Sequence, residues 1–213
     1  MTDENELSNV KGINPNVFIH KLSQCSKKAK VYTTDVGNNQ MWSSQSIELS
    51  SNQRLLTSGG MGAMGYSLPA AIGACFSTNK SPIVSISGDG GFQINIQELQ
   101  TIRRNNLPIK IIILNNQSLG MIRQFQDSYF DSRYQSTVEG YDAPNFEKVA
   151  KAYGISSCSI RDKDEIEKAL IKLWEKPNEP FLLNVFIDLH TNVSPKLMYG
   201  NPISKMEPEI KSY

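Results

Sequence analysis

The 213-residue sequence predicts an α/β fold, a doubly wound and mostly parallel sheet with helices on both faces. Two short runs, Pro82 to Ser87 and Ile109 to Leu114, are β-branched and nearly continuously apolar, as strands covered on both faces must be. Between them Ile94, Leu99 and Ile102 recur at roughly helical spacing, with Gln and Arg residues on the other side. Such a crossover is almost always right-handed, so both strands point the same way and their C-terminal ends open onto one edge of the sheet. The strand-helix alternation continues along the chain, and one large domain is the simplest organisation for this length.

In order, residues 1–13 read as a polar lead-in, residues 14–188 as the domain and residues 189–213 as an extended tail. Asn14-Pro15 starts a helix, with Asn as cap, Pro in the first turn, and Val17, Phe18 and Leu22 as its buried stripe. Val31 to Thr34 is a strand, and Asp35 to Trp42 turns into a second short helix. Arg54 to Thr57 is a strand whose loop, Ser58 to Gly65, is Gly-rich. Leu68 to Phe76 is a helix of small residues. After the run at Ile109, Gln117 to Tyr141 lacks strand periodicity and reads as a loop or short helix, a candidate lid. Helices over Pro144–Tyr153 and Lys163–Trp174 then alternate with strands over Ile155–Ile160 and Phe181–Ile187.

The chemistry concentrates between Gly88 and Asn116. Asp89 follows one predicted strand and Asn116 the other, so on neighbouring or near-neighbouring strands their side-chain oxygens converge on one ion. Magnesium takes oxygen ligands and keeps positions for substrate phosphates and water. Asp89, Asn116 and a backbone carbonyl near Ser118 make such a set. Gly88, Gly90 and Gly91 allow the backbone to turn sharply and approach a ligand. A helix beginning near Phe92 then aims its free N–H groups at an anion. Gly90 and Asn115 are separated by 24 residues, 91–114. The other loop contains Gly60, Gly62 and Gly65, a literal GxGxxG that suggests dinucleotide binding. That alternative has no use for the second anchor at Asn115-Asn116.

These motifs resemble the C-terminal, diphosphate-binding domain of thiamine diphosphate-dependent enzymes, most closely the acetolactate synthase group. The resemblance spans Val31 to Ile155 and includes Thr34 to Trp42, Gly60 to Gly65 with Leu68-Pro69, Gly88 to Asn116, and Asn115 to Met121. It implies thiamine diphosphate and Mg2+ as cofactors. Asp89, Asn116 and Ser118 would bind the metal, and Asn38, Asn39, Gly88, Gly90 and Gly91 the diphosphate. By the same resemblance Gly62 offers a carbonyl to the cofactor's exocyclic amine, Met64 is the apolar wedge beneath its rings, and Met121 contacts the cofactor. A 2-oxo acid is the implied substrate, and FAD is possible in a full enzyme without being inferable from these residues.

The resemblance also defines what is missing. In the family a glutamate from a separate pyrimidine-binding domain activates the cofactor across a subunit interface, in a dimer or tetramer. No catalytic residue of that kind is found here, so the sequence is expected to be an excised domain or split subunit, inactive alone. The group also carries a Trp where Phe125 stands, with Arg123 just before it. Both are candidates for a substrate pocket, although Arg123 reads equally as a surface residue. A related decarboxylase or lyase with another substrate, and a non-catalytic module that binds a partner domain, remain as alternatives.

Composition narrows the classes further. The 22 basic and 21 acidic residues leave a net charge of +1, which offers no field for nucleic acid or an anionic membrane. No apolar run reaches the length of a membrane span, and the acidic start, Met1 to Glu6, lacks the apolar core of a signal peptide. Three widely spaced cysteines, Cys25, Cys75 and Cys158, read as reduced thiols of a cytoplasmic protein.

Overall fold

The computed structural model describes residues 10–197, 200–202 and 204–207. Its elements are α1 (Pro15–Cys25), β1 (Val31–Thr34), α2 (Asn38–Ser46), β2 (Arg54–Thr57), α3 (Ser67–Ser77), β3 (Ile83–Gly88), α4 (Asp89–Ile94), α5 (Leu99–Asn105), β4 (Ile109–Asn115), α6 (Gly120–Tyr129), α7 (Phe146–Ala152), β5 (Ser156–Ile160), α8 (Ile166–Glu175), β6 (Phe181–Phe186) and the short pair β7 (Lys196–Leu197) and β8 (Met206–Glu207). Six strands form one all-parallel sheet in the order β2-β1-β3-β4-β6-β5.

Strand residues alternate between two cores, as a two-residue side-chain period dictates. Ile109, Ile111 and Ile113 pack with Leu68 and Cys75 of α3, Leu99 and Ile102 of α5, and Phe146 of α7. Ile112 and Leu114 face the other way, toward Phe18 and Leu22 of α1, Trp42 of α2 and Leu170 and Leu173 of α8. The sheet is therefore covered on both faces, which is the doubly wound arrangement expected.

Asn14 caps α1 as its sequence implies: its Oδ1 accepts from the N–H groups of Asn16 at 2.9 Å and Val17 at 3.2 Å, with Pro15 opening the helix. Ile19 is fully buried beside Phe18 and Leu22, whereas Val17 is only partly covered. Ile13, read as lead-in, is fully buried, and Gly12 forms an antiparallel bridge with Ile187.

The crossover from β3 to β4 departs from the single helix expected. The helix starts at Asp89 rather than near Phe92, ends at Ile94, and continues as a 3-10 turn over Ile96–Glu98 and then α5. The break falls at Asn95, whose side chain turns away to donate to the Gly65 carbonyl at 2.8 Å. Ile94, expected on the buried stripe, is consequently 52% exposed. With α4 only six residues long, its start offers a few individual backbone N–H groups rather than a long helix dipole.

Beyond β6 the chain lies over α2 and α6. Val193 is buried, and Gln124 clamps it, with Oε1 accepting from its N–H at 2.9 Å and Nε2 donating to its carbonyl at 3.0 Å. Trp42 Nε1 donates to the Asn192 carbonyl at 3.4 Å. No helix among the described residues is long and apolar enough to cross a membrane.

Candidate cofactor and metal site

The sheet order places a ligand crevice at one point. From β1 the chain moves outward to β2, and from β3 it moves the opposite way to β4. The segment after β1 feeds α2 on one face, and the segment after β3 feeds α4 and α5 on the other. The C-terminal ends of β1 and β3 thus flank a topological switch point, where open α/β sheets bind ligands.

Asp89 leaves β3 and Asn116 leaves β4, and these strands are direct neighbours, with Gly88 opposite Leu114. The structure collects eleven of the predicted residues around one cavity of about 210 Å³. Asn38 and Asn39 arrive from β1; Gly62 and Met64 from the loop after β2; Gly88, Asp89, Gly90 and Gly91 from β3; and Asn116, Ser118 and Met121 from β4. Asn38 and Asn39 begin α2 rather than cap it, for Gly37 holds the cap position.

The cavity wall is built for polar contents. Asp89 is 1% exposed, and its Oδ2 lacks a hydrogen-bond partner. The same is true of both side-chain polar atoms of Asn38, Oδ1 of Asn39 and Oγ of Ser118. Buried polar groups are normally paired, so this concentration of open acceptors and donors suits a polar, charged ligand. Burial pushes the Asp89 carboxyl up to about 6, with nearby backbone N–H groups and the Tyr141 hydroxyl pulling it partly back. A cation beside Asp89 would remove that penalty.

Backbone approach is equally close. A Cβ on Gly90 would meet Leu119 Cδ2 at 2.7 Å and the Tyr141 hydroxyl at 3.3 Å. A Cβ on Gly120 would lie 2.9 Å from Asn38 Nδ2 and closer still to Asn116 Nδ2. One carboxylate, one amide and backbone carbonyls form a hard oxygen set suited to Mg2+. Among the described residues no three His, Cys, Asp or Glu side chains cluster as a metal-binding group. The residues present therefore fit a magnesium-bound diphosphate.

Two predicted residues lie elsewhere. Arg123 is neither on the surface nor in the cavity: it is fully buried, with Nη1 2.5 Å from Asp127 Oδ2 and Nη2 donating to Asn192 Oδ1. Its guanidinium ties α6 to the C-terminal segment. Phe125, 48% exposed, packs against Tyr129 with ring centroids 4.5 Å apart and the planes tilted by 47°. It lines a second, largely apolar groove of about 630 Å³ between α2, α6 and the tail. Met121 touches both spaces.

Sequence reasoning missed two residues at the site. Tyr141 faces Asp89 from a segment without periodicity, and burial followed by the Asp89 charge raises its pKa. Asp35, fully buried, accepts from the N–H groups of Val36 at 3.0 Å, Gly65 at 3.0 Å and Ser67 at 2.9 Å, fixing the Gly-rich loop to the end of β1. Its position directly after a strand was the available signal. Of the GxGxxG glycines only Gly62 lines the cavity, while Gly65, at φ +83°, packs against Ile94 and Asn95. That loop follows the edge strand β2 and lacks the dinucleotide arrangement.

Fold and site together define a thiamine diphosphate-binding domain, and the comparison with known families agrees. The chain belongs to the family described as thiamine pyrophosphate enzyme, C-terminal TPP binding domain, whose model matches residues 35–185. Within that family it is acetolactate synthase-like. It is 42% identical over 190 residues to acetolactate synthase isozyme 2 large subunit of Escherichia coli (strain K12), covering 89% of this chain and 34% of that protein. It is 38% identical over 194 residues to the acetolactate synthase large subunit of Porphyra purpurea, covering 91% of this chain and 32% of that protein. It is also 36% identical over 200 residues to acetolactate synthase 2, chloroplastic, of Zea mays, covering 91% and 31%. The chain spans about a third of the length of these relatives.

Proposed function

We propose that this domain anchors the diphosphate of thiamine diphosphate through one Mg2+ in an enzyme that decarboxylates a 2-oxo acid and joins the remaining fragment to a second carbonyl compound. The observation that carries this reading is the buried, unpartnered Asp89 oxygen beside Asn116 and Ser118 on neighbouring strand ends. Asp89, Asn116 and a carbonyl at the Ser118 turn hold the metal. Gly88, Gly90 and Gly91 supply close backbone approach for the diphosphate, and Asn38 and Asn39 donate to its oxygens. Met64 and the Gly62 carbonyl orient the rings, and Met121 closes the apolar side.

Bound thiamine diphosphate supplies the nucleophilic carbon and electron sink that a 2-oxo acid needs for loss of CO2. The residues of this chain bind and orient; the glutamate that activates the cofactor belongs to a pyrimidine-binding domain of the same or a partner chain. The working enzyme is a cytoplasmic homo-oligomer, a dimer or tetramer, in which that domain covers the open edge of the cavity. Phe125 borders the space for the second substrate, and Arg123 acts only by fixing α6. The test is turnover: the purified 213-residue chain leaves pyruvate unchanged, and adding a pyrimidine-binding domain restores CO2 release and acetolactate formation. Turnover by the chain alone would refute the division of labour.

A further inference from the structure

Between the two β4-derived ligand candidates the backbone enters a region that side chains disfavour: Gln117 has φ +54°. That turn is held by Asn115, whose Oδ1 accepts from the Gln117 N–H at 3.2 Å and from its Nε2 at 2.6 Å. Asn115 is in turn one link of a hydrogen-bonded chain that crosses three strands. Its Nδ2 donates to Asn184 Oδ1 on β6 at 3.1 Å. Asn184 Nδ2 donates to Ser159 Oγ on β5 at 3.3 Å, and Ser159 Oγ donates to Glu147 Oε2 on α7 at 2.5 Å. Asn115 and Asn184 are 1% and 3% exposed, so water offers these amides little alternative.

The sense of the chain is set from its far end. A carboxylate only accepts, so the Ser159 hydroxyl points to Glu147 and its oxygen is left to accept from Asn184. The Asn184 carbonyl must then face Asn115, and the Asn115 carbonyl must face the Gln117 N–H. Reversing either amide would bring like groups together inside the sheet. Aligned dipoles of this kind also strengthen one another at low dielectric.

We propose that Asn115, Asn184 and Ser159 are positioning residues for the metal site: the Glu147-terminated chain locks the Gln117 turn so that Asn116 and the Ser118 backbone are presented to Mg2+ in binding geometry. This rests on the functional reading above. Ligand-orienting groups of this kind typically change metal affinity tenfold or more.

The test measures metal affinity directly. Free Mn2+ is followed by electron paramagnetic resonance as it is titrated into the full chain at saturating thiamine diphosphate. Ser159→Ala and Asn184→Leu are compared with wild type, with Ser159→Thr as the variant that retains the hydroxyl. The apo unfolding midpoint is recorded for each. The expected result is a Kd for Mn2+ raised about tenfold in Ser159→Ala, restored in Ser159→Thr, out of proportion to any shift of the apo midpoint. If Asn184→Leu does not fold, Ser159→Ala decides. A Ser159→Ala Kd within about twofold of wild type overturns the inference and leaves the functional reading standing, since a purely structural bond lowers the midpoint without touching affinity. Absence of Mn2+ binding in wild type overturns both.

Discussion

Gly91 at the start of α4 packs directly on the buried carboxylate of Asp35 at the end of β1: a Cβ there would lie 2.9 Å from Asp35 Cγ and closer still to Oδ1. Two effects oppose each other at this position. Alanine is the better helix former by about 1 kcal/mol, whereas forcing a methyl into a filled site costs about 1–3 kcal/mol. Asp35 cannot yield, because it holds three backbone N–H groups. Gly91→Ala is therefore destabilising, and urea denaturation should show a lower midpoint with an unchanged slope. A stabilised variant would mean that the β1–α4 contact is looser than described.

Gly120→Ala tests the site with less disturbance of the sheet. Its methyl would press on Asn38 and Asn116 at once, displacing one residue from each side of the cavity. Circular dichroism should be unchanged, while the calorimetric Kd for thiamine diphosphate with Mg2+ rises at least about tenfold, equivalent to about 1.4 kcal/mol.

Asp89→Asn should move stability and binding in opposite directions. The buried carboxylate is costly without a cation, as its elevation to about 6 shows, and one pKa unit corresponds to about 1.4 kcal/mol. The neutral variant is expected to be more stable than wild type at pH 7 without ligand, by about 1–3 kcal/mol. It also loses the stabilisation that Mg2+ and cofactor confer. Differential scanning calorimetry with and without both ligands separates the two effects.

Lys110 gives a pH dependence far from the cavity. It is fully buried at the start of β4, and Nζ donates to the carbonyls of Lys176 at 2.7 Å and Glu179 at 2.6 Å. Burial lowers its pKa from 10.5 to about 8 despite the Glu179 charge. Between those values the unfolded chain binds more protons than the folded one, so this group makes stability rise with pH. Its penalty is full below pH 8 and gone above about pH 10.5. Urea midpoints of Lys110→Met, subtracted from those of wild type at pH 7.5 and 10, should expose that rise. A flat difference would show that Lys110 does not titrate in this window.

What could be read from the sequence followed from how the sheet is built. β3 and β4 are covered on both faces, so they appear as continuous apolar runs, and the residues just beyond them fall at the ligand edge. Asp89, Asn116 and the glycines were legible for that reason. The break at Asn95 was not, because it depends on a hydrogen bond to Gly65, 30 residues away. Arg123 is an ordinary surface candidate on α6 until Asn192, 69 residues later, closes over it. The link between Asn115 and Asn184 spans another 69 residues and lies across strands, beyond any local pattern. Tyr141 reaches Asp89 from an irregular segment, where residue spacing carries no directional information.

The central claim is a magnesium-dependent diphosphate half-site, and thermal stabilisation of the purified chain tests it most directly. A ligand that binds only the folded state raises stability as RT ln(1 + [L]/Kd), which is about 2.7 kcal/mol at a hundredfold excess over Kd. Thiamine diphosphate should raise the unfolding temperature with Mg2+, have little effect with EDTA, and have no magnesium-dependent effect on Asp89→Ala. Equal stabilisation of wild type and Asp89→Ala, or a shift produced by NAD instead, would contradict the account.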